Sequence, residues 1–188
     1  MKKEMRPFEG FERSYESDYK LQYLENEVIR NYKSTKKWLY LGADCCNTNF
    51  AKIGITEGDL SSRSYSSARP SYYLFCAFKF CHNISEPEMK SVENDILLRI
   101  DALHRDRFNN SKRLFHYESG RLSECFEPVD FFQFYKDLHS EIINHHRNSF
   151  VIVGYEDESG CCEAEFVDCI FNPRVDNSDN KYIKMILQ

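Results

Sequence analysis

Between Trp38 and Thr56 the chain carries two apolar, aromatic-rich runs separated by a polar stretch. The first is Trp38-Leu39-Tyr40-Leu41-Gly42, the second Asn49-Phe50-Ala51-Lys52-Ile53-Gly54-Ile55-Thr56, and Ala43-Asp44-Cys45-Cys46-Asn47-Thr48 lies between them. Short runs of β-forming residues on either side of a turn pair as a β-hairpin. A glycine inside the second run, Gly54, marks a bulge or a place where another group comes close to the backbone. This hairpin limits the fold to classes built on an antiparallel sheet.

The flanking segments supply helices and further strands. Tyr19, Leu21, Tyr23, Leu24, Val28, Ile29 and Tyr32 recur at helical spacing and predict an amphipathic helix over residues 15–35. Glu57-Gly58-Asp59 provides a turn and a helix N-cap, so a short helix carrying Arg63 is expected from Leu60 to about Ala68, ending before Pro70. Ser71 to Cys81 reads as a strand. Ser85-Glu86-Pro87-Glu88 starts a helix expected to reach about residue 106, with an apolar stripe of Met89, Val92, Ile96, Leu97, Ile100 and Leu103. Glu93 lies immediately beside that stripe. A short strand pair over 111–126, a helix over 129–146, a hairpin around Glu156-Asp157-Glu158-Ser159-Gly160 and a terminal strand over Tyr182–Leu187 complete the reading.

The expected architecture is α+β: a small central, mostly antiparallel sheet with flanking helices. Its parts are an N-terminal helical extension (1–37), a central domain (38–127), and a C-terminal helix and β-hairpin extension (128–188) packed on the same domain. The 15 phenylalanines and 12 tyrosines predict a ring-rich core. The charged start Met1-Lys2-Lys3-Glu4-Met5-Arg6-Pro7 and the lack of a long apolar stretch predict no signal peptide, no membrane span and a cytoplasmic location. The eight cysteines are accordingly read as thiols. Net charge is -5, but it is unevenly spread: residues 30–121 hold 15 basic against 10 acidic side chains, and the chain beyond them is acidic. The basic stretch suits a phosphate-bearing partner, and the acidic C-terminal part suits a protein partner.

Tyr40 at the end of an aromatic strand, Lys52-Ile53-Gly54-Ile55-Thr56 on the next, Arg63 on a helix and Glu93 on a later helix resemble the GIY-YIG nuclease superfamily. The resemblance is narrower to its phage- and prophage-associated branch, whose second motif reads K-I-G-I-T and whose later E-W-F segment is loosely matched by Glu124-Cys125-Phe126. It covers about half of the chain. It implies a GIY-YIG-like domain at 38–127 and a Mg²⁺-dependent (or Mn²⁺-dependent) endonuclease acting on DNA. Tyr40, Lys52, Arg63 and Glu93 would form the catalytic set, with Glu93 as the metal ligand. The sequence departs from the pattern where Trp38 replaces the first motif's glycine and Lys52 its second tyrosine. Ser67 stands where a helper His or Tyr often follows the arginine, with Tyr65 nearby.

The residue types suit phosphodiester hydrolysis in their own right. A glutamate is a hard oxygen ligand for Mg²⁺. An arginine clamps non-bridging phosphoryl oxygens, and a phenol beside an amine is helped to accept a proton. Arg105, Arg107, Lys112 and Arg113, interleaved with Phe108 and Phe115, form the best local patch for phosphate contact. Zinc ranks lower, because no C-x-x-C pair exists. His104 is expected on a helix surface. The rival functional class is a non-cleaving nucleic-acid-binding or protein-binding accessory factor on the same scaffold, such as a phage counter-defence protein.

Overall fold

The computed structural model describes residues 18–60, 69–156 and 162–187. The chain divides into two compact units, residues 1–34 and residues 35–188. In the first, helix α1 (Asp18–Lys33) occupies the segment whose spacing predicts it. Its Leu21, Tyr23, Leu24, Val28, Ile29 and Tyr32 side chains are all exposed. Among the described residues no helix is long and apolar enough to cross a membrane.

The second unit is α+β. Strands β1 (Trp38–Asp44) and β2 (Asn47–Thr56) form the expected antiparallel hairpin, with Trp38 opposite Thr56 and Tyr40 opposite Gly54. The turn is tighter than the six polar residues suggest, because polar side chains there hold the backbone. Asp44 Oδ1 accepts the Cys46 N–H at 2.9 Å, Asn47 Oδ1 accepts the Asn49 N–H at 3.0 Å, and the strands therefore run on through both residues. Strand β3 (Tyr72–Lys79) pairs antiparallel on the other side of β1. The next two strands, β4 (Arg113–Phe115) and β5 (Leu122–Phe126), form a second hairpin turned at Gly120, whose φ of +63° glycine adopts without strain.

Two longer helices cover one face of this sheet. Helix α2 (Glu86–Leu103) begins in a capping box, in which the Ser85 side chain accepts the Glu88 N–H and the Glu88 carboxylate accepts the Ser85 N–H. Its apolar stripe is buried as the spacing predicts, except Leu103, which is exposed. Helix α3 (Phe131–His146) is capped by Asp130, which accepts the Gln133 N–H at 2.9 Å. A separate hairpin, β6 (Ile152–Glu156) with β7 (Cys162–Val167), follows. Strand β8 (Cys169–Phe171) then returns to pair with β3, so the sheet order is β4-β5-β2-β1-β3-β8 with every pairing antiparallel.

The terminal run Tyr182–Leu187 is not a strand. It lies in helix α4 (Lys181–Leu187), begun by Asn177, whose Oδ1 accepts the Tyr182 N–H at 3.1 Å. Over so few residues an apolar run has no distinguishable period. Packing decides the outcome: Ile183 is buried, while Tyr182, Met185 and Ile186 pack on the core. The short helix with Arg63 expected from Leu60 to about Ala68 lies, beyond Leu60, outside the described residues.

The core between sheet and helices is built of rings, as the composition predicts. Phe75 has its ring met edge-on by Phe131, Phe132, Tyr135, Phe171 and Tyr182 at centroid distances of 4.9 to 6.4 Å. His104 is not on the helix surface; it packs on the Phe134 ring, 4.9 Å between centroids, with Nε2 3.0 Å from Asp137.

His139 is buried in the same layer, and burial lowers its pKa from the ordinary 6.5 to about 4. Its Nε2 accepts the Val167 N–H at 3.1 Å, which only a neutral ring can do. The unfolded chain takes up this proton near pH 6.5 and the folded chain only near 4, so this group's stability contribution is lost as pH falls through that window. The loss amounts to about 3 kcal/mol when complete. Urea unfolding of the wild type and of His139→Gln, which retains an acceptor, should show the wild type losing more stability between neutral and mildly acidic pH. Identical pH dependence in the two proteins would contradict this assignment.

Candidate functional site

The sheet face away from α2 and α3 has a smaller apolar cluster of its own: Trp38, Tyr40, Phe50, Tyr72, Leu74 and Ala77, with Leu60, Leu114 and Cys125 packed against it. Strand alternation explains the division, since Leu39 and Leu41 turn to the helix-covered core and Trp38 and Tyr40 to the other side. Tyr40 lies opposite Gly54, and a Cβ placed on Gly54 would fall on the Tyr40 phenol. Tyr72 occupies the space over Gly42 in the same manner. Gly54 is thus a close-approach glycine whose missing side chain makes room for a tyrosine, and Tyr40 is only 5 % exposed.

Lys52 sits opposite Gly42 on β1 and opposite Cys125 on β5. Its Nζ lies 3.9 Å from the Glu124 carboxylate, with both side chains partly open to solvent. The β2–β5 ladder consists of two residue pairs, Ala51 with Phe126 and Lys52 with Cys125. Glu93 approaches from helix α2 toward the Ile55 backbone N–H. Burial, then the nearby charge of Glu124, pushes the Glu93 carboxyl up to about 7, against the opposing pull of the Ile55 N–H, Lys52 and Lys90. The Tyr72 hydroxyl is held far above the ordinary phenol range, by burial first and then by Tyr40, Cys125 and Glu124. Burial likewise raises the Cys125 thiol, although Lys52 pulls it down.

Of the four expected central residues, Lys52 lies near enough for its charge to pull the Glu93 carboxyl down, though its amine meets the Glu124 carboxylate; Tyr40 belongs to the cluster on the face away from α2, beside Tyr72. The fourth, Arg63, lies outside the described residues, as do Tyr65 and Ser67. Tyr72 and Glu124 are members that residue spacing does not single out. The signal for Glu124 was the E-x-F tripeptide, and it gains meaning only from the pairing of β5 with β2 at Lys52.

Within the basic segment, Arg105 donates to Asp101 Oδ2 and to the Asn109 carbonyl, each at 3.0 Å. Arg113 Nε donates to the Ser123 carbonyl at 2.8 Å, and its guanidinium lies over the Phe126 ring. Both thus have structural partners. Lys112 and Arg107 pair with no carboxylate among the described residues, and Arg107 rests on the Phe108 ring, 4.7 Å from its centroid.

Among the described residues one cluster of three potential metal donors lies close together. Asp44, Cys45 and Cys46 at the β1–β2 turn have ligand atoms within 4.8 Å of one another. The Asp44 carboxylate is already engaged by Ser71, the Cys46 N–H and Arg69, which hold it below the usual carboxylate range despite desolvation. Glu93 offers a hard oxygen donor, and a nearby cation would oppose the burial and the Glu124 charge that raise its carboxyl. A cavity of about 760 Å³ opens at the turn end of the hairpin, beside Asp44, Asn47, Tyr73, Lys112 and Asp130, not at Glu93. Glu93, not that cavity, carries the acid whose pKa burial and a second carboxylate perturb most. No protein-family model, curated protein or solved structure matches the chain.

The Tyr40–Gly54 contact can be tested alone. Gly54→Ala is expected to cost about 1–3 kcal/mol through overpacking against the phenol. In a Tyr40→Ala background most of that cost should vanish, giving a large coupling in a double-mutant cycle read by chemical unfolding. Additive effects would show that the glycine is needed for another reason.

Proposed function

We propose that the chain is a GIY-YIG-like, Mg²⁺-dependent endonuclease that hydrolyses phosphodiester bonds in DNA. The reading is supported above all by one observation: a partly buried glutamate, Glu93, whose carboxyl is raised to about 7 beside both a second carboxylate and Lys52. Such a raised carboxyl on a partly open surface is what a divalent cation would bind and discharge. The donor chemistry fits Mg²⁺, with Glu93 as the holding ligand and Glu124 close by. Bound there, the cation would supply charge neutralisation to a phosphoryl group.

The remaining roles belong to the chain's own groups. The Lys52 ammonium, 3.9 Å from the Glu124 carboxylate and attractive to that of Glu93, is the positive charge to meet a phosphate oxygen. Tyr40 is the residue to accept a proton from the attacking water, and Arg63 the residue to clamp the phosphoryl oxygens. A phage, prophage or mobile-element setting goes with the K-I-G-I-T form of the second motif. The near-complete burial of Tyr40 favours a second reading, a scaffold that binds nucleic acid or a protein without cutting.

Nicking of supercoiled plasmid in Mg²⁺ or Mn²⁺ separates the two. Cleavage is expected to need the cation and to fall about a hundredfold or more in Glu93→Gln, consistent with several kcal/mol of lost stabilisation. Cation-dependent nicking that survives in Glu93→Gln would reject this site. Binding without any nicking would leave the accessory factor.

A further inference from the structure

We propose that the β4–β5 hairpin is a platform on which unpaired bases of a nucleic acid stack, which makes DNA with single-stranded or splayed segments the preferred partner. The inference deepens the nucleic-acid reading and does not depend on cleavage. Phe115 and Leu122 face each other across the hairpin on its open side, and Phe115 is 64 % exposed. Tyr117, just beyond the strand, is fully exposed. By contrast Leu114 turns inward to the cluster around Tyr40, and Arg113 folds back onto Phe126. The rings left outside are therefore surplus to the core.

The tip that carries them is ordered by its own hydrogen bonds. The His116 N–H donates to the Arg121 carbonyl and the Gly120 N–H to the His116 carbonyl, both at 2.8 Å. Rings on a preformed hairpin lose little freedom when a planar ligand stacks on them. The adjoining loop repeats the chemistry: Phe108 is 70 % exposed and carries the Arg107 guanidinium on its face.

The charge selects the occupant. Residues 104–121 hold five Arg or Lys side chains against Asp106 and Glu118. Asp106 is consumed by the Phe108 and Asn110 N–H groups, while Arg107, Lys112 and Arg121 pair with no carboxylate among the described residues. Exposed rings among uncommitted cations match the requirement of single strands, whose bases offer π-faces and whose backbone is anionic.

The test is anisotropy titration in EDTA, using a labelled mixed-sequence single strand and the same sequence as duplex. The wild type should prefer the single strand, and the doubly substituted Phe115→Ala/Tyr117→Ala protein should lose about 5- to 100-fold of that affinity with much less effect on duplex. Phe115→Trp should retain binding, and its fluorescence should be quenched by the single strand. Circular dichroism and thermal melting report whether the variants fold; because the replaced rings are exposed, wild-type-like melting is expected. Equal affinity for both DNA forms, unchanged single-strand binding in the double variant, no quenching, or no nucleic-acid binding at all would each overturn the platform. Binding that follows this pattern without nicking in Mg²⁺ would leave the platform standing and remove the endonuclease reading, so the two fail separately.

Discussion

The Tyr40 ring rests on the bare backbone of Gly54, and much of the second unit follows from that contact. It fixes the cross-strand register of the hairpin, because a residue with a Cβ could not take the position beneath the phenol. With Tyr40 opposite Gly54, Lys52 falls opposite Gly42, whose own empty space receives Tyr72 from the third strand. Lys52 is also brought beside Cys125, and hence near Glu124. A slip of one residue would exchange the two faces, turning Leu39 and Leu41 away from the helix-covered core and Lys52 into it.

The second constraint is electrostatic. Glu93 belongs to a helix whose apolar stripe is anchored in the core, so its carboxylate is carried into partial burial whether or not a counter-charge is there to meet it. Lys52, Lys90 and the Ile55 N–H offset part of the cost, but Glu124 adds to it. A fold that buries one carboxylate within reach of a second one's charge gives up stability locally, and such perturbed acids are concentrated where ligands are bound. The linkage at Glu93 opposes that of His139: raising a carboxyl makes the folded state the better proton binder between about 4.5 and 7.

Much of the frame was legible along the chain, for reasons that are local. Strand alternation and a polar turn announce the β1–β2 hairpin, Ser85-Glu86-Pro87-Glu88 announces a capped helix, and Gly120 marks the β4–β5 turn. What was not legible depends on distant partners. The run Ala164–Phe171 reads as one hairpin arm, but its last three residues, Cys169–Phe171, pair with β3 far upstream, and Tyr182–Leu187 is a helix because the aromatic cluster around Phe75 receives Tyr182. Within the candidate site, Tyr40, Lys52 and Glu93 were named by a resemblance in motif order and spacing. Glu124 was marked only by its tripeptide and Tyr72 by nothing, since the relevance of both comes from cross-strand neighbours.

The account rests most heavily on the state of one carboxyl group. Selective ¹³C labelling of glutamate, with Glu93→Gln to assign the resonance, would follow the Glu93 carboxyl through a pH titration with and without Mg²⁺. The expected midpoint is near 7 in the metal-free protein, with a marked fall when Mg²⁺ is added. A midpoint at the ordinary value near 4.5, unmoved by Mg²⁺, would contradict it.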